Sequence, residues 1–507
     1  MAIESKRIAK NTGILYFRML LLMAVSFYTS RILLYALGVS DYGIYNVVGG
    51  VVVMVGFLKG TMSTASSRFI TVALSKNDIE EMRNTFASIL LINIVLSLIV
   101  VALSETIGLW FLLNKMVIPE ERLNASFWVF QFSVVSVALS IITVPYNATI
   151  IANERMGAFA YISLFDAFAK FVIVYLIIVS TFDRLIFYSA LMLIIHIINM
   201  LVYVLYCRIK IPEVKSGLCY NKCMIKEMFG FISWASYGSF VSVGFNQGLN
   251  IILNLFFGPT VNAARGIAVQ VQGAVDQFTM NFQTAINPQL MKSTAVRDYN
   301  SAQILLIASS KYSFFLLSIL GIPIIVEAPF ILGIWLKDIP PYTVGFCRII
   351  LFISIFGSLA NALRIVNQAE GNIKKFQLSE CTLLLMIMPL SYIVLKIWQV
   401  PILVYFVHLI IEILSQFVRI VVVIPKIEMS LIKYMKKIYI PIILIFFITL
   451  SVAYGLHISL PENPLYRFFS VVIVTEILLF WEIYNWGLDK TEKNYILNYA
   501  MKLIKRN

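Results

Sequence analysis

Charged side chains are scarce in this chain. Only 13% of its 507 residues are Asp, Glu, Lys or Arg, whereas 60% are hydrophobic, and the mean hydropathy is +0.87. An ordinary soluble domain carries about 25% charged residues, so this composition excludes that class. Apolar runs of about 20 residues recur along the whole chain, as membrane-spanning helices require. The sequence therefore predicts an all-α polytopic membrane protein.

Cysteine and histidine are also few, with five Cys and three His. Only Cys219 and Cys223 lie close together, and no second Cys or His pair completes a zinc site. His196, His408 and His457 stand singly, without the spacing of metal ligands. We expect neither a metal site nor a catalytic site.

Acidic residues are fewer than basic ones, which gives a formal net charge of +14. The hydropathy pattern predicts about fourteen spans, an even number, so both termini lie on the same side. The predicted spans are 12–37, 43–70, 87–112, 125–149, 158–180, 185–206, 229–256, 262–288, 303–334, 343–367, 376–398, 401–423, 435–457 and 465–486.

The basic residues between these spans choose the side. Between the spans or near their ends, 28 Lys and Arg residues lie on the side of the termini, whereas seven lie opposite, namely Lys115, Arg122, Arg184, Lys337, Arg348, Lys396 and Arg467. By the positive-inside rule both termini are cytoplasmic. Membrane topology thus explains the basic charge, and we expect no nucleic-acid partner.

Two internal matches predict a repeat. Residues 31–46 align with residues from 251 onward at a shift of 220, which places Gly38 on Gly258, and 147–153 align with 361–367 at a shift of 214. Both shifts span an even number of helices, so the repeats share one orientation. We therefore expect two homologous six-helix lobes plus two C-terminal helices. The predicted divisions are an N-terminal lobe 1–210, a cytoplasmic linker 211–228, a C-terminal lobe 229–425, and a segment 426–507 with two extra helices and a basic tail.

Predicted span 8 is unusually polar. On a helix, seven positions between Asn262 and Gln283 share one face, and all but Val269 are polar. A charge at the bilayer centre costs about 2.5–3.5 kcal/mol, so Arg265 and Asp276 should face water or protein. For the amide side chains, lining a cavity and joining helices remain open alternatives.

We call this polar face a seam. A shift of 220 residues aligns it with positions on predicted span 2 that include Tyr45 and Lys59. Predicted span 7 carries a similar seam with Asn246 and Asn250, whereas Arg31 either lines a cavity or extends to the membrane surface. The candidate substrate-binding residues are Arg265, Lys59, Asp276, Gln272, Asn246, Asn250, Arg31 and Tyr45. Lys170 follows Asp166 at ion-pair spacing, and the roles of the mid-span acids Glu327, Glu380, Glu412 and Glu476 stay open.

A family resemblance accompanies this pattern. Its motif residues are Arg31, Leu37, Gly38, Tyr42, Gly43 and Tyr45, followed by the sequence Ser-Ser-Arg-Phe at 66–69. With fourteen spans in two lobes, the chain resembles the polysaccharide-transporter branch of the multidrug/oligosaccharidyl-lipid/polysaccharide exporter superfamily, which includes the O-antigen flippases. The resemblance implies the two-lobed fold also found in multidrug exporters of the MATE type. It also implies a bacterial inner-membrane location and a cationic cavity, which Lys59 and Arg265 suit.

The function implied by the resemblance is that of a flippase. Such a protein moves undecaprenyl-diphosphate-linked oligosaccharides across the membrane by alternating access, without a cofactor. Coupling to protons or sodium and contact with other polysaccharide-assembly proteins are left open. The alternative is an efflux transporter of small cationic or amphipathic compounds, which would depend on Asp276 and the buried Glu residues. The peptidoglycan-precursor flippases, which also have fourteen spans and a basic cavity, are a less favoured likeness because they carry several Arg in spans 1 and 2. A third interpretation, an intramembrane glycan polymerase or ligase, is disfavoured because the predicted outside loops are short and carry no catalytic cluster.

Overall fold

The computed structural model describes residues 2–55, 58–75, 78–153, 155–211, 214, 222–370, 374–460, 463–489 and 492–493, and these residues form helices and short connections without a strand. The helices are α1 (Ala2–Val55), α2 (Leu58–Ser75), α3 (Ile79–Leu103), α4 (Leu109–Asn114), α5 (Leu123–Ala152), α6 (Met156–Val179), α7 (Arg184–Lys210), α8 (Lys222–Phe257), α9 (Pro259–Ala295), α10 (Tyr299–Val326), α11 (Ala328–Trp335), α12 (Thr343–Gly357), α13 (Ala360–Glu370), α14 (Lys374–Leu385), α15 (Ile387–Trp398), α16 (Leu403–Val423), α17 (Leu431–Tyr434), α18 (Ile440–Ser459) and α19 (Pro464–Glu482). The all-α membrane fold is thus confirmed. Half of the predicted linker 211–228 and nearly all of the basic tail lie outside the described residues.

Twelve helical segments in the described part are long and apolar enough to cross a membrane. The difference from fourteen arises because the apolar segment Met23–Met54 covers parts of two predicted spans, 12–37 and 43–70, and because α2 and α9 are polar. α2 carries Lys59, Arg68 and seven Ser or Thr residues, and α9 carries the seam around Arg265 and Asp276. Neither helix is apolar over enough of its length and circumference to be surrounded by lipid.

The helices divide into two compact units. Unit 1 comprises residues 1–266 and 391–401, and unit 2 comprises residues 267–390 and 402–507. α8 belongs to unit 1, and α9 begins there and continues into unit 2. The predicted lobe limits rest on the alignment of the two repeats, whereas the limits of the units rest on contacts between residues. The predicted lobe limits therefore stay a prediction.

The centre of unit 1 is an apolar contact between the second half of α1 and α5. Val47, Val48 and Val51 are buried on α1, and they pack with Val129 and Phe130 of α5 in one core cluster. β-Branched side chains lose little freedom in such a contact because their χ1 angle is already restricted. This packing fixes the face that the second half of α1 presents to the rest of unit 1.

Gly38 bends α1, and Gly258 separates α8 from α9. Gly38 has φ 78° and ψ 169°, a conformation almost confined to glycine, and Gly258 has a φ of 72°. These two residues are aligned by the shift of 220, and they are the glycines with positive φ in the described part. A positive φ at both positions is what equivalent turns in two repeats would show, and the equivalence itself stays a prediction.

An ion-pair cluster joins three connections of unit 1. Arg122, which precedes α5, donates hydrogen bonds to Asp41 beyond the bend in α1 and to Asp183, which caps α7. The bond from Arg122 Nε to Asp41 Oδ1 measures 2.9 Å. Partial burial raises the pKa of the Asp183 carboxyl, but Arg122 and the N–H groups of the α7 first turn hold that pKa below its ordinary value.

The two C-terminal helices contribute to the core of unit 2. Phe446 of α18 packs against Phe314 of α10, with ring centroids 5.9 Å apart, and against Phe352 and Phe356 of α12 at 5.4 and 5.2 Å. Edge-to-face contacts of this kind add to the energy of simple burial. α18 is therefore part of the packed interior rather than only an external addition.

Candidate functional site

Unit 1 contains a polar cavity beside Lys59. It consists of two adjoining spaces of about 340 and 390 Å³, which share Lys59, Ser140 and His196 in their linings. We call them together the Lys59 cavity. Their walls come from α1, α2, α5, α6 and α7. Tyr45, which belongs to the predicted seam, lines the first space together with Gly49, and Ser63 lines the second.

Three helices supply polar stripes to this cavity. The polar lining residues of these helices, with Met192, repeat at alternating spacings of three and four, which places them on one face of each helix. They are Ser133, Ser136, Ser140, Thr143 and Asn147 on α5, Ser163, Asp166 and Lys170 on α6, and Ser189, Met192, His196, Asn199 and Tyr203 on α7. Sequence reasoning did not select these stripes as a site, although their spacing was available.

The charged groups of the cavity form one ion pair and leave one lysine over. Lys170 Nζ lies 2.6 Å from Asp166 Oδ2, and Asn199 Nδ2 donates to Asp166 Oδ1 at 2.6 Å. The predicted pair of Asp166 and Lys170 is thus present. Lys59 is exposed to the cavity and has no ion pair or hydrogen bond within the described part of the chain. Two ammonium groups against one carboxylate leave an excess positive charge.

Uncharged groups complete the lining. The side-chain oxygens of Asn147 and Asn199 are buried, and neither has a hydrogen-bond donor among the described residues. A buried acceptor without a partner costs about 1–3 kcal/mol. The hydroxyl groups of α5 that line the cavity are suited to a hydroxyl-rich molecule, while the lysines are suited to an anion.

Arg265 lies elsewhere in unit 1, in a contact between α8 and α9. Its side chain is 5% exposed, and its Nη2 donates to the backbone carbonyl of Asn246 at 2.7 Å. Asn262 donates to the side chain of Asn250 at 2.7 Å, and Asn250 donates to the carbonyl of Asn46 at 3.1 Å. These bonds join α8 and α9 to the second half of α1. The roles predicted for Arg265, Asn246 and Asn250 in substrate binding stay predictions.

Glycines let these helices approach closely. A Cβ atom on Gly43 would lie 1.9 Å from the carbonyl oxygen of Pro259, and one on Gly266 would lie 2.9 Å from the side chain of Asn46. Small residues at such contacts allow interhelical hydrogen bonds inside a membrane. The second half of α1 thus has one face on the hydrogen-bonded seam and another, with Tyr45, on the Lys59 cavity.

Gln272 and Asp276 lie in unit 2, further along α9. Both bind Ser354 of α12, which donates to Asp276 and lies 3.3 Å from Gln272 Nε2. Arg31 is exposed on α1 and does not line either space of the Lys59 cavity. The predicted site residues thus fall into separate groups, of which Lys59 and Tyr45 share a cavity. Substrate binding by the others remains a prediction.

The mid-span acids of unit 2 lie mostly in ion pairs. The pairs are Glu380 with Arg364 and Arg419, Glu412 with Arg419, and Glu327 with His457 and Arg467. Glu476 has one buried carboxyl oxygen without a partner in the described part. Pairing of this kind satisfies a buried carboxylate without any ligand, so these acids have a structural explanation.

Comparison with solved structures shows the same fold in several membrane transporters. Neither a protein-family model nor a curated protein matches the sequence. Among solved structures, the lipid II flippase MurJ in an inward closed conformation matches with a TM-score of 0.69 at 15% identity, over 94% of this chain and 99% of that one. The chain has this fold.

Multidrug transporters share the architecture. An inward-facing multidrug resistance MATE family transporter of the MOP superfamily matches with a TM-score of 0.60 at 12% identity, over 78% of this chain and 96% of that one. An outward-facing one matches with a TM-score of 0.58 at 15% identity, over 83% and 96%. At these identities the likeness establishes the two-lobed, multi-pass fold and leaves the activity and the substrate to the site's chemistry.

Proposed function

We propose that this protein is a flippase that translocates undecaprenyl-diphosphate-linked oligosaccharide across the bacterial inner membrane by alternating access. The observation that carries the proposal is the Lys59 cavity, which combines excess positive charge with a lining rich in hydroxyl and amide groups. The fold shared with a lipid flippase over nearly the whole of both chains supports it. The sequence resemblance to polysaccharide transporters points to the same substrate class.

The chemistry of the substrate suits the cavity. A sugar diphosphate linked at both ends carries two permanent negative charges, which Lys59 and Lys170 would attract. The sugar hydroxyls would exchange hydrogen bonds with the serines of α5 that line both spaces. The lipid tail would stay in the bilayer, because moving it into a polar cavity loses the favourable burial of each methylene group.

Efflux of small cations is the second candidate. It draws support from the likeness to MATE family transporters and from the carboxylates of Asp166 and Asp276. Within the Lys59 cavity, however, Asp166 is already neutralised by Lys170 at 2.6 Å. A cationic ligand would have to displace that lysine and would still meet Lys59. The cavity therefore favours an anion.

A deletion strain tests the proposed function. Loss of a flippase should leave lipid-linked oligosaccharide on the cytoplasmic leaflet and remove the surface glycan, as measured by extraction and by leaflet-specific labelling. Unchanged glycan together with raised sensitivity to cationic drugs would instead identify an exporter.

Complementation of that strain tests the cavity. Lys59→Gln should reduce surface glycan by about tenfold or more, because the unpaired charge is lost, and Lys59→Arg should recover part of it. Lys396→Gln is the matched control, since Lys396 is an exposed lysine at the end of α15 and lies outside the cavity lining. Equal glycan from Lys59→Gln and the control, at equal membrane abundance, would contradict the proposed site.

A further inference from the structure

His196 has a fixed orientation in the wall of the Lys59 cavity. Its Nδ1 lies 2.7 Å from the carbonyl oxygen of Met192, one helical turn earlier on α7. A carbonyl oxygen can only accept, so Nδ1 carries a hydrogen and donates it. In the neutral ring, Nε2 is then a bare acceptor, and the ring lines both spaces of the cavity. Protonation of Nε2 would turn this acceptor into a donor.

The groups around His196 set the charge that it meets. α2 presents Lys59, and α6 presents Asp166 and Lys170. α1 contributes the phenol of Tyr45 and α7 itself that of Tyr203, whereas the polar groups of α5 in the lining are hydroxyls and one amide. With two ammonium groups and one carboxylate nearby, an empty cavity repels an additional proton. The neutral ring is therefore the form that suits the empty cavity.

We propose that binding of an anionic diphosphate in the Lys59 cavity is coupled to protonation of His196. This inference rests on the proposed function, because it takes the diphosphate as the ligand. Two negative charges change the local excess from one positive to one negative charge, which reverses the preference for the neutral ring. A proton from the aqueous phase adds to Nε2, and the new N–H donates to a phosphate oxygen. No bond of the substrate is broken.

The coupling works in both directions. If the anion favours the protonated ring, then a lower pH must tighten anion binding by the same free energy. Among the polar and charged groups of the cavity lining, His196 is the side chain whose ordinary pKa lies near neutral pH. Release of the substrate on the far side of the membrane would release the proton there. The proton would thus cross the membrane in the same direction as the substrate.

Calorimetric titration of the full-length protein in detergent tests this proposal. The probe is a short-chain prenyl diphosphate N-acetylglucosamine, whose phosphates are both esterified and do not titrate near neutral pH. Titrations in buffers of different ionisation enthalpy count the protons taken up on binding. For the native protein we expect uptake of up to one proton and a Kd that rises with pH, by at most about tenfold per unit.

Variants identify the titrating group. His196→Gln should bind with no proton uptake and with a Kd that is flat between roughly pH 6 and 8, the range in which His titrates. His196→Lys, which carries a permanent charge, should bind tightly with an equally flat profile. His408→Gln in unit 2 is the matched control, and it should retain the native proton uptake. A structural role for His196 alone would weaken binding at every pH without removing the pH dependence.

The outcomes separate this inference from the proposed function. Binding of the probe with the same proton uptake in the native protein and in His196→Gln would overturn the role of His196 and leave the flippase intact. Binding with no proton uptake by the native protein would do the same. Failure of the native protein to bind the probe at any pH would overturn the proposed substrate class, and this inference with it.

Discussion

Single residues show how far a periodic pattern can predict a site. The spacing on α9 and its equivalent on the first two helices placed Arg265 and Lys59 on matching seams. In the structure Lys59 lines a cavity, whereas Arg265 is buried against the backbone of Asn246. Periodicity tells which residues share a face, but it does not tell what lies opposite that face. The sequence pattern alone therefore cannot distinguish the buried guanidinium of Arg265 from the exposed ammonium of Lys59.

The contact of Arg265 leads to a prediction about its replacement. Arg265→Ala leaves the Asn246 carbonyl without this donor, so the free energy of unfolding should fall by about 1–3 kcal/mol. Surface glycan should fall strongly, either through loss of the substrate contact predicted from the sequence or through displacement of α9. Arg265→Lys should restore part of both, because a lysine can still donate although the planar geometry is lost. Thermal unfolding in detergent and glycan display provide the two measurements.

Asp276→Asn is the companion variant. An amide oxygen can still accept the hydrogen bond from Ser354, so both stability and glycan display should change less than in Arg265→Ala. A cation exporter predicts the opposite order, with the acid essential and the arginine dispensable. Normal glycan display and normal stability of Arg265→Ala would show that Arg265 neither binds substrate nor contributes to packing.

At the scale of helices, the stripes of α5, α6 and α7 explain what sequence reasoning missed. Ser and Thr in a membrane helix commonly donate to their own backbone, as Thr143 does to Leu139 at 2.7 Å and Ser163 to Phe159 at 2.7 Å. Each stripe alone therefore has a local explanation that needs no cavity. Only the convergence of three stripes beside Lys59 marks a site, and convergence depends on packing between helices.

The bend of α1 gives a prediction at the same scale. Gly38 has the backbone conformation that other residues avoid, and no atom lies within 4 Å of the position of an added Cβ. Gly38→Ala should therefore cost about 1–3 kcal/mol through backbone strain alone. Gly333→Ala is the control, since Gly333 also has open space but lies within α11 at an ordinary φ, where alanine favours the helix. Equal melting temperatures for the two variants would show that the bend does not depend on glycine.

For the whole molecule, the apolar runs were sufficient to predict the helices but not their grouping. Every predicted span coincides with helical residues, because a run of about 20 apolar residues has few alternatives in a membrane. The packing of Phe446 against Phe314 and Phe356 could not be read from sequence, since aromatic residues are common throughout the chain. The assignment of α8 to unit 1 likewise depends on contacts between distant segments.

Topology is the property of the whole molecule that remains to be measured. The segments Thr343–Glu370, Lys374–Trp398 and Leu403–Ile427 separate residue 340 from residue 430, and two more spans follow before the C-terminus. An odd number of crossings places residue 340 opposite residue 430, and an even number returns the C-terminus to the side of residue 430. The distribution of Lys and Arg assigns the cytoplasm to that side. A phosphatase that is active only outside the cytoplasm should be active after residue 340 and inactive after residue 430 or at the C-terminus.

A fusion after Asp78 decides between twelve and fourteen crossings. If the chain crosses outward before Gly38 and returns through the rest of α1 and α2, two crossings precede Asp78 and the fusion should be inactive. If only the apolar segment Met23–Met54 crosses, one crossing precedes it and the fusion should be active. The first result is expected, because Lys59 lines a polar cavity in unit 1, where a charged residue need not meet lipid. An active fusion after Asp78 would mean that α2 does not complete a span, and it would place the Lys59 cavity outside the membrane pathway.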